Sequence, residues 1–218
     1  LNHIAFIMDG NGRWGLKKNK SRNYGHVAGV KTVQKIVEAS IRFKVPVISF
    51  YVFSTENWKR PKVEINYLFN LIGIYFNKEI NNIIKNNIKI IITGDFKKLP
   101  PKISKILKVV INKTKKNNKL VVNLAINYGS KAEIIDAIKK INYNSQQISE
   151  KNIDKSLRTD LPFPDILVRT GGQNRLSNFM LWQLAYAEIF FLKKLWPDFT
   201  KRDLKKIIDK FHTIKRNF

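Results

Sequence analysis

Short apolar runs alternate along this chain with stretches whose apolar positions recur at helical spacing, and clusters of Gly, Asn, Asp and Ser separate them. Residues 4–8 (IAFIM) have the length of a strand and stop at Asp9-Gly10-Asn11-Gly12. Over residues 25–42 the positions Val27, Val30, Val33, Ile36, Val37 and Ile41 predict a helix. Residues 47–53, β-branched and aromatic, predict a second strand; Arg60-Pro61 breaks the pattern, and a helix is predicted over 63–85. A strand over 88–93 closes at Gly94-Asp95, and a lysine-rich amphipathic helix follows Pro100-Pro101. The strand over 120–126 ends in Asn127-Tyr128-Gly129 and leads into a helix over 131–141. Residues 142–164, polar and then punctuated by Pro, read as a helix-containing surface connection. A short strand over 165–168 ends at Arg169-Thr170-Gly171-Gly172, a last strand covers 188–192, and Thr200 caps a final helix with Asp203 in its first turn.

This alternation predicts an α/β fold: one domain spanning 1–218, with a largely parallel central sheet flanked by helices and no internal repeat or linker. In such a sheet ligands bind beyond the carboxyl ends of the strands. Three predicted strand exits carry unusually polar sequences, at residues 9–14, 54–60 and 169–177, and all three project to that one edge.

The formal charge of +25 changes this picture less than its size suggests. Lys, Asn and Ile are enriched together, and A/T-rich codons specify all three, so nucleotide bias raises the charge without selection for it. A basic nucleic-acid-binding module is the reading such a charge invites, but the chain holds no reader motif, and such a module would bind DNA with steep salt dependence and no turnover. Attraction to anionic lipid headgroups is compatible with it. The absence of Cys excludes disulfide scaffolding and Cys-ligated zinc. The longest apolar stretch, 45–53, is too short to span a bilayer, and no signal segment opens the sequence, so a cytoplasmic protein is expected.

The arginines change the picture more. The chain uses 32 Lys against 9 Arg and has no Arg between Arg60 and Arg158. Yet Arg13, Arg22, Arg60, Arg169 and Arg175 sit in Gly-, Asn- or Ser-containing segments after apolar runs. The planar fork of Arg grips phosphate bidentately where Lys offers a point charge. Phosphate recognition at the predicted edge follows.

Each motif also has an ordinary reading. Residues 9–14 (DGNGRW) match neither a Walker A loop nor a Gly-x-Gly-x-x-Gly fingerprint. Their glycines permit backbone approach to an anion, and Asp9 suits Mg²⁺ shared with a pyrophosphate; a tight turn with an Asp cap is the alternative. Ser54-Thr55-Glu56-Asn57-Trp58-Lys59-Arg60 is a reactive loop or a set of caps. Arg169 and Arg175 flank two glycines and are followed by Ser177, a strongly anion-binding composition. His26 fits a phosphate ligand or a cap, and Glu188, isolated in the apolar stretch 181–191, calls for a partner.

Together these segments resemble the cis-prenyltransferase family, most closely the bacterial undecaprenyl pyrophosphate synthases. The match is carried by HIAFIMDGNGRW, Arg22 with GHVAG, YVFSTENWKRP, NLAINYG, and ILVRTGGQNRLSNFMLWQLAYAEIFF followed by LWPDF. The resemblance implies a transferase that adds isopentenyl pyrophosphate in cis to an allylic starter such as farnesyl pyrophosphate, making a long lipid carrier for cell-wall synthesis. It implies that Asp9 is the central catalytic and Mg²⁺-associated carboxylate and that Gly10, Asn11, Gly12, Arg13, Arg22 and His26 bind the allylic pyrophosphate, with Trp14 beside them. Ser54, Thr55, Glu56, Trp58 and Arg60 would line the reacting region, with Asn57 as proton acceptor. Arg169, Arg175, Leu176 and Ser177 would hold the isopentenyl pyrophosphate, and Glu188 would join the metal. A homodimer with peripheral membrane contact is implied as well. The chain departs from the family pattern at Asn174, where relatives often carry His, at Ser130, often Gly, and at Phe218, where glycines commonly follow.

A shorter product is the main alternative within the family. A non-catalytic partner subunit would lack the intact segment 9–13. The helix after Pro61 has one apolar stripe at Ile65, Leu68, Phe69, Ile72 and Phe76 and a second at Tyr67, Leu71 and Ile74. One stripe is expected on the sheet and the other, with Val52, along a tunnel for the prenyl chain; burial against a dimer partner is the alternative.

Overall fold

Six parallel strands form the centre of the computed structural model, which describes residues 1–215. They are β1 (His3–Ile7), β2 (Val47–Ser54), β3 (Ile88–Thr93), β4 (Leu120–Tyr128), β5 (Ile166–Arg169) and β6 (Glu188–Phe191), in the order β3-β4-β2-β1-β5-β6. The helices are α1 (Asn11–Lys17), α2 (Arg22–Arg42), α3 (Lys62–Lys85), α4 (Pro101–Thr114), α5 (Ser130–Tyr143), α6 (Glu150–Ser156) and α7 (Lys201–Thr213). The chain winds outward from β1 through β2, then returns to place β5 on the other side of β1. That reversal opens a crevice beyond the carboxyl end of β1.

Both faces of the sheet are covered except at the edge strand β6, where Ile189 and Phe191 are exposed, which is why the inner strands read as nearly unbroken apolar runs. Alternate residues of β1 divide between the faces. Ile4 and Phe6 join Phe50, Ile36, Phe69, Leu107 and Trp196 in the larger core. Ala5 and Ile7 join Tyr128, Leu167, Phe179 and Met180 in the smaller one.

All six strands predicted from the apolar runs are present. The segment after β1 differs: read as a loop, it is helical from Asn11. Two glycines in seven residues conceal that helix. Gly10, with φ of +111°, makes the turn into it, and a Cβ there would lie 2.7 Å from a Leu195 methyl. Helix α2 starts earlier than its apolar pattern, at Arg22, because Ser21 caps it by accepting from the Tyr24 N–H at 3.2 Å. Thr200 caps α7 as expected, in a reciprocal box with Asp203. The carboxyl end at Phe218, where the family carries glycines, lies outside the described residues.

A buried chain of hydrogen bonds ties four strands together. His3 Nδ1 lies 2.6 Å from the Pro162 carbonyl and Nε2 lies 2.7 Å from the Ser49 hydroxyl. A carbonyl can only accept, so Nδ1 carries the proton and Nε2 accepts from Ser49. Asn123 then donates to Ser49 at 3.0 Å, and Thr93 donates to Asn123 at 2.7 Å. Burial lowers the His3 pKa from 6.5 to about 4, against the opposing pull of the Pro162 carbonyl and the Asp165 charge.

As pH falls, the unfolded chain therefore takes up this proton before the folded one does. The contribution of His3 to stability is whole above pH 6.5 and is lost between 6.5 and about 4, at ~1.4 kcal/mol per pH unit inside that window. Urea unfolding of the wild type and His3→Gln checks this: the wild type should lose more stability than the variant on going from about pH 7.5 to about pH 4.5. Equal losses would exclude His3 as the titrating group.

Candidate active site

The three polar strand exits meet in the crevice beyond β1. They enclose a cavity of about 670 Å³ lined by Asp9, Ser54, Glu56, Asn57, Arg60, Arg169, Arg175 and Ser177, among others. A recess of about 110 Å³ adjoins it, walled by Asp9, Gly10, Asn11, Gly12, Arg13, Arg22, His26 and Arg60. The residues expected to hold an allylic pyrophosphate thus surround one small space.

Asp9 leaves β1 into a net of donors. Its Oδ1 accepts from Arg13 at 2.9 Å and its Oδ2 from Arg169 at 3.0 Å. Its carbonyl accepts from the Thr170 hydroxyl at 2.8 Å and the Trp196 N–H at 3.0 Å. Gly171, φ +89°, approaches so closely that a Cβ would stand 2.9 Å from the Asp9 carboxyl carbon. Arg169, the last residue of β5, lies beside Ile7 in the sheet and its side chain is only 4% exposed. Its other nitrogen donates to Ser177 Oγ at 2.7 Å and to the Arg175 carbonyl, while Nε has no partner. Arg175 is exposed at the cavity wall, its guanidinium donating to Gln173 at 2.6 Å.

A second cluster gathers around Glu64, which the sequence did not single out. Its carboxylate lies 3.1 Å from Arg60 and 3.7 Å from both Arg22 and His26. Burial lowers the pKa of His26; Glu64 opposes that, and Arg60 and Arg22 add to it. Burial first, and then the two guanidiniums, favour the neutral imidazole, so its approach to Glu64 is read as polar contact and not as an ion pair. Glu64 offers little sequence signal, being one acid in the first turn of α3. Spacing to Arg60 is the only clue, since residues four apart on a helix meet.

The turn after β2 is a 3-10 helix, Thr55–Lys59, closed by Asn57 Oδ1 accepting from the Ser54 N–H at 3.1 Å. Glu56 accepts from Asn178 Nδ2 at 2.8 Å. Burial alone would raise the Glu56 pKa; hydrogen bonds from Asn178, its own backbone, Ser54 and Thr55 outweigh it and hold the carboxyl below its usual range. Lys131 and Asn178, neither anticipated, line the cavity too.

Several expected residues face elsewhere. Trp14 stacks on Tyr24 at 5.8 Å and donates to Asp198 at 2.7 Å. Trp58 packs against Phe53 and Phe69 and donates to Asn127 at 2.8 Å. Thr55 abuts Gly129, and Leu176 packs into the smaller core. Aromatic and aliphatic side chains in these polar loops serve packing, which composition alone does not reveal. Glu188 pairs with Ile166, which pairs with Ile4, so it lies at the amino end of the sheet. At ~3.3 Å per strand residue it is ~15 Å or more from Asp9 of the same chain, and the two carboxylates cannot share one ion there. Asn174 is exposed. Among the described residues no group of three or more acidic, His or Cys side chains forms a ready metal cage.

The polar cavity continues into an apolar one. Met8, Asn11, His26, Val52 and Leu68 line both, and beyond them Val30, Val33, Leu71, Ile72, Tyr75, Phe76 and Trp196 enclose a further 120 Å³ or so. The two stripes expected on α3 are divided differently from the prediction. Leu68 and Ile72 from the first and Leu71 from the second face this space, Phe69 is buried in the larger core, and Ile74 is 64% exposed.

A narrow apolar passage running out of an anion-binding cleft suits an amphiphile with a charged head. Residues 7–218 match the family model for undecaprenyl diphosphate synthase. The chain belongs to that family. The isoprenyl transferase of Fusobacterium nucleatum is 41% identical over 99% of this chain and 94% of its own length. The farnesyl-diphosphate-specific ditrans,polycis-undecaprenyl-diphosphate synthase of Buchnera aphidicola is 42% identical over 100% of this chain and 91% of its own. The crystal structure of a probable undecaprenyl diphosphate synthase from Campylobacter jejuni matches with a TM-score of 0.87 and 39% identity, covering 100% of this chain and 98% of that one.

In this family setting Arg169 is the residue whose geometry is most demanding, because one fork bridges Asp9 and Ser177. Arg169→Lys keeps the charge but cannot reach both acceptors. Urea unfolding should show a loss of about 1 kcal/mol for the partly buried acceptor left alone. An unchanged midpoint and slope would show that the bridge contributes nothing to folding.

Proposed function

We propose that this chain condenses isopentenyl pyrophosphate in cis with an allylic pyrophosphate, farnesyl pyrophosphate being the starter, and repeats the addition to give undecaprenyl pyrophosphate. The observation that carries this reading is the continuity between the arginine-lined cavity and the apolar passage. The head and tail of a prenyl pyrophosphate need those two surroundings side by side.

In each cycle the allylic carbon–oxygen bond breaks, a carbon–carbon bond forms to the isopentenyl double bond, and one proton leaves the adjacent carbon. Arg13, Arg22 and Arg60, with the Gly10–Gly12 backbone, are assigned to the departing pyrophosphate, whose growing negative charge they stabilise. Arg169, Arg175 and Ser177 are assigned to the isopentenyl pyrophosphate, holding its double bond against the allylic carbon. Asp9 fits Mg²⁺: a single carboxylate at the mouth of an anion site is the donor set this ion uses when substrate phosphates and water complete its shell. Bound there, the ion would neutralise pyrophosphate charge. Asn57 is a weak base, and its Oδ1 already accepts from the Ser54 N–H. Its place is therefore to orient a water or pyrophosphate oxygen that takes the proton.

A homodimer is proposed from family membership together with the uncovered edge of the sheet, where Ile189 and Phe191 of β6 remain 40% and 38% exposed. No helix among the described residues is long and apolar enough to cross a membrane. Peripheral contact, driven by the +25 charge at an anionic cytoplasmic surface, is the membrane relation proposed. A shorter product remains the second reading, since the passage beyond Leu68 is narrow.

Two measurements test the assignment. Asp9→Asn, which keeps a carbonyl acceptor for Arg169, should lose most turnover in Mg²⁺ in protein shown folded by circular dichroism; near-normal turnover would remove Asp9 from the chemistry. Ile72→Trp, or Leu68→Trp if the first does not fold, should shift the product mass distribution to shorter chains at matched turnover. Full-length product from folded, active variants of both would place the chain outside this passage.

A further inference from the structure

We infer that Asn178 is the positioning residue for the isopentenyl pyrophosphate end of the cleft, an assignment that rests on the substrate reading above. The turn that carries Ser177 is strained. Ser177, Asn178 and Met180 have φ of 50°, 63° and 46°, and none is glycine. Left-handed backbone crowds Cβ in an L-residue, so such a turn persists only where its surroundings hold it.

Asn178 supplies much of that hold. Its Oδ1 accepts from the Lys131 N–H at 2.9 Å, and its Nδ2 donates to Glu56 Oε1 at 2.8 Å. Its carbonyl accepts from the Ser130 N–H at 2.9 Å, and Ser130 Oγ accepts from the Leu181 N–H at 2.9 Å. One side chain therefore joins the start of α5, the turn after β2 and the loop carrying Ser177. These three segments are far apart in sequence, and Lys131, Glu56 and Ser177 all line the cavity.

The neighbour of Asn178 explains why its position matters. Ser177 Oγ takes one arm of the Arg169 fork at 2.7 Å, and the same nitrogen of Arg169 also donates to the Arg175 carbonyl. A turn released at Asn178 would carry Ser177 and Arg175 away from Arg169 together. The allylic recess, walled by Met8, Asp9, Gly10, residues of α1 and α2, and Arg60, meets this network only through the Asp9–Arg169 pair, and none of its lining residues is bonded to Asn178. The effect should therefore fall on one substrate and spare the other.

An Asn in a left-handed turn has a simpler explanation, because Asn adopts that conformation more readily than most residues. Asn178→Gly separates the two roles. Glycine accepts the turn without strain but has nothing with which to bridge Lys131 and Glu56. Asn178→Asp keeps the Oδ1 acceptor and sets a second anion against Glu56 in place of the donor.

The experiment is steady-state kinetics of the full chain with isopentenyl and farnesyl pyrophosphates in Mg²⁺. Asn178→Gly should raise KM for isopentenyl pyrophosphate about tenfold, the worth of one or two hydrogen bonds, and leave KM for farnesyl pyrophosphate within about twofold. In a Glu56→Ala background the same change should cost less, because one partner is already gone. A wild-type KM for isopentenyl pyrophosphate in Asn178→Gly overturns the proposal, as does an equal rise in both KM values. Should the glycine variant not fold, Asn178→Asp carries the test: it must raise KM for isopentenyl pyrophosphate selectively, and an unchanged value overturns the assignment. A wild-type chain that turns over neither pyrophosphate overturns the substrate reading itself.

Discussion

The carboxyl edge of this sheet depends on the pairing of Arg169 with Asp9 across the ends of β5 and β1. A guanidinium 4% exposed is costly to bury and is tolerated only with an anion and further acceptors in place. Asp9, Ser177 and the Arg175 carbonyl supply them. The strand register brings the two together: Ile7 pairs with Arg169, so the residues leaving β1 pass directly beside the guanidinium. Thr170, next to Arg169, and Trp196, from one further segment, fix the Asp9 backbone. Three distant stretches of sequence, around Asp9, residues 169–177 and Trp196, thus converge on one ion pair.

The second organising constraint is electrostatic economy around Glu64. Two guanidiniums, Arg22 and Arg60, would repel each other without it. Glu64 lets the arginines stand close enough to converge on one anion. Burial favours the neutral form of His26 at the border where the polar cavity gives way to the apolar one. The transition from charged to apolar lining therefore occurs within a turn or two of α2 and α3.

The fold was legible because both faces of the sheet are covered over the inner strands, so each of these appears as an apolar run with a polar exit. Period and punctuation located the six strands and most helices. Helix α1 was not legible, since its glycines pack it against α2 instead of giving it an apolar face, and glycine reads as loop. At the site, Asp9 and the five arginines stood out by charge and fork geometry, and the structure gathers all six around the two polar cavities. Trp14, Thr55, Trp58 and Leu176 were carried along by neighbouring motif residues and turned out to pack or cap. Glu64 and Asn178 went unnoticed because most of their partners, Arg22 and His26 for the first and Lys131 and Glu56 for the second, lie far away in sequence, which spacing cannot express. Glu188 was placed with Asp9 by family resemblance, whereas strand register puts it at the opposite end of its own chain's sheet.

The apolar passage between α2 and α3 has a consequence for timing. Its walls, Val33, Leu68, Ile72 and Phe76, are continuous with the larger core, so a hydrocarbon lying there becomes in effect part of the folded interior. Each added isoprene unit that stays inside the passage removes more apolar surface from water, at ~0.8 kcal/mol per buried methylene. On the proposed reading, the grip on the intermediate would strengthen as synthesis proceeds and would keep unfinished chains from escaping. On the same reading, a finished lipid held there would need another apolar phase to receive it before the cycle could begin again.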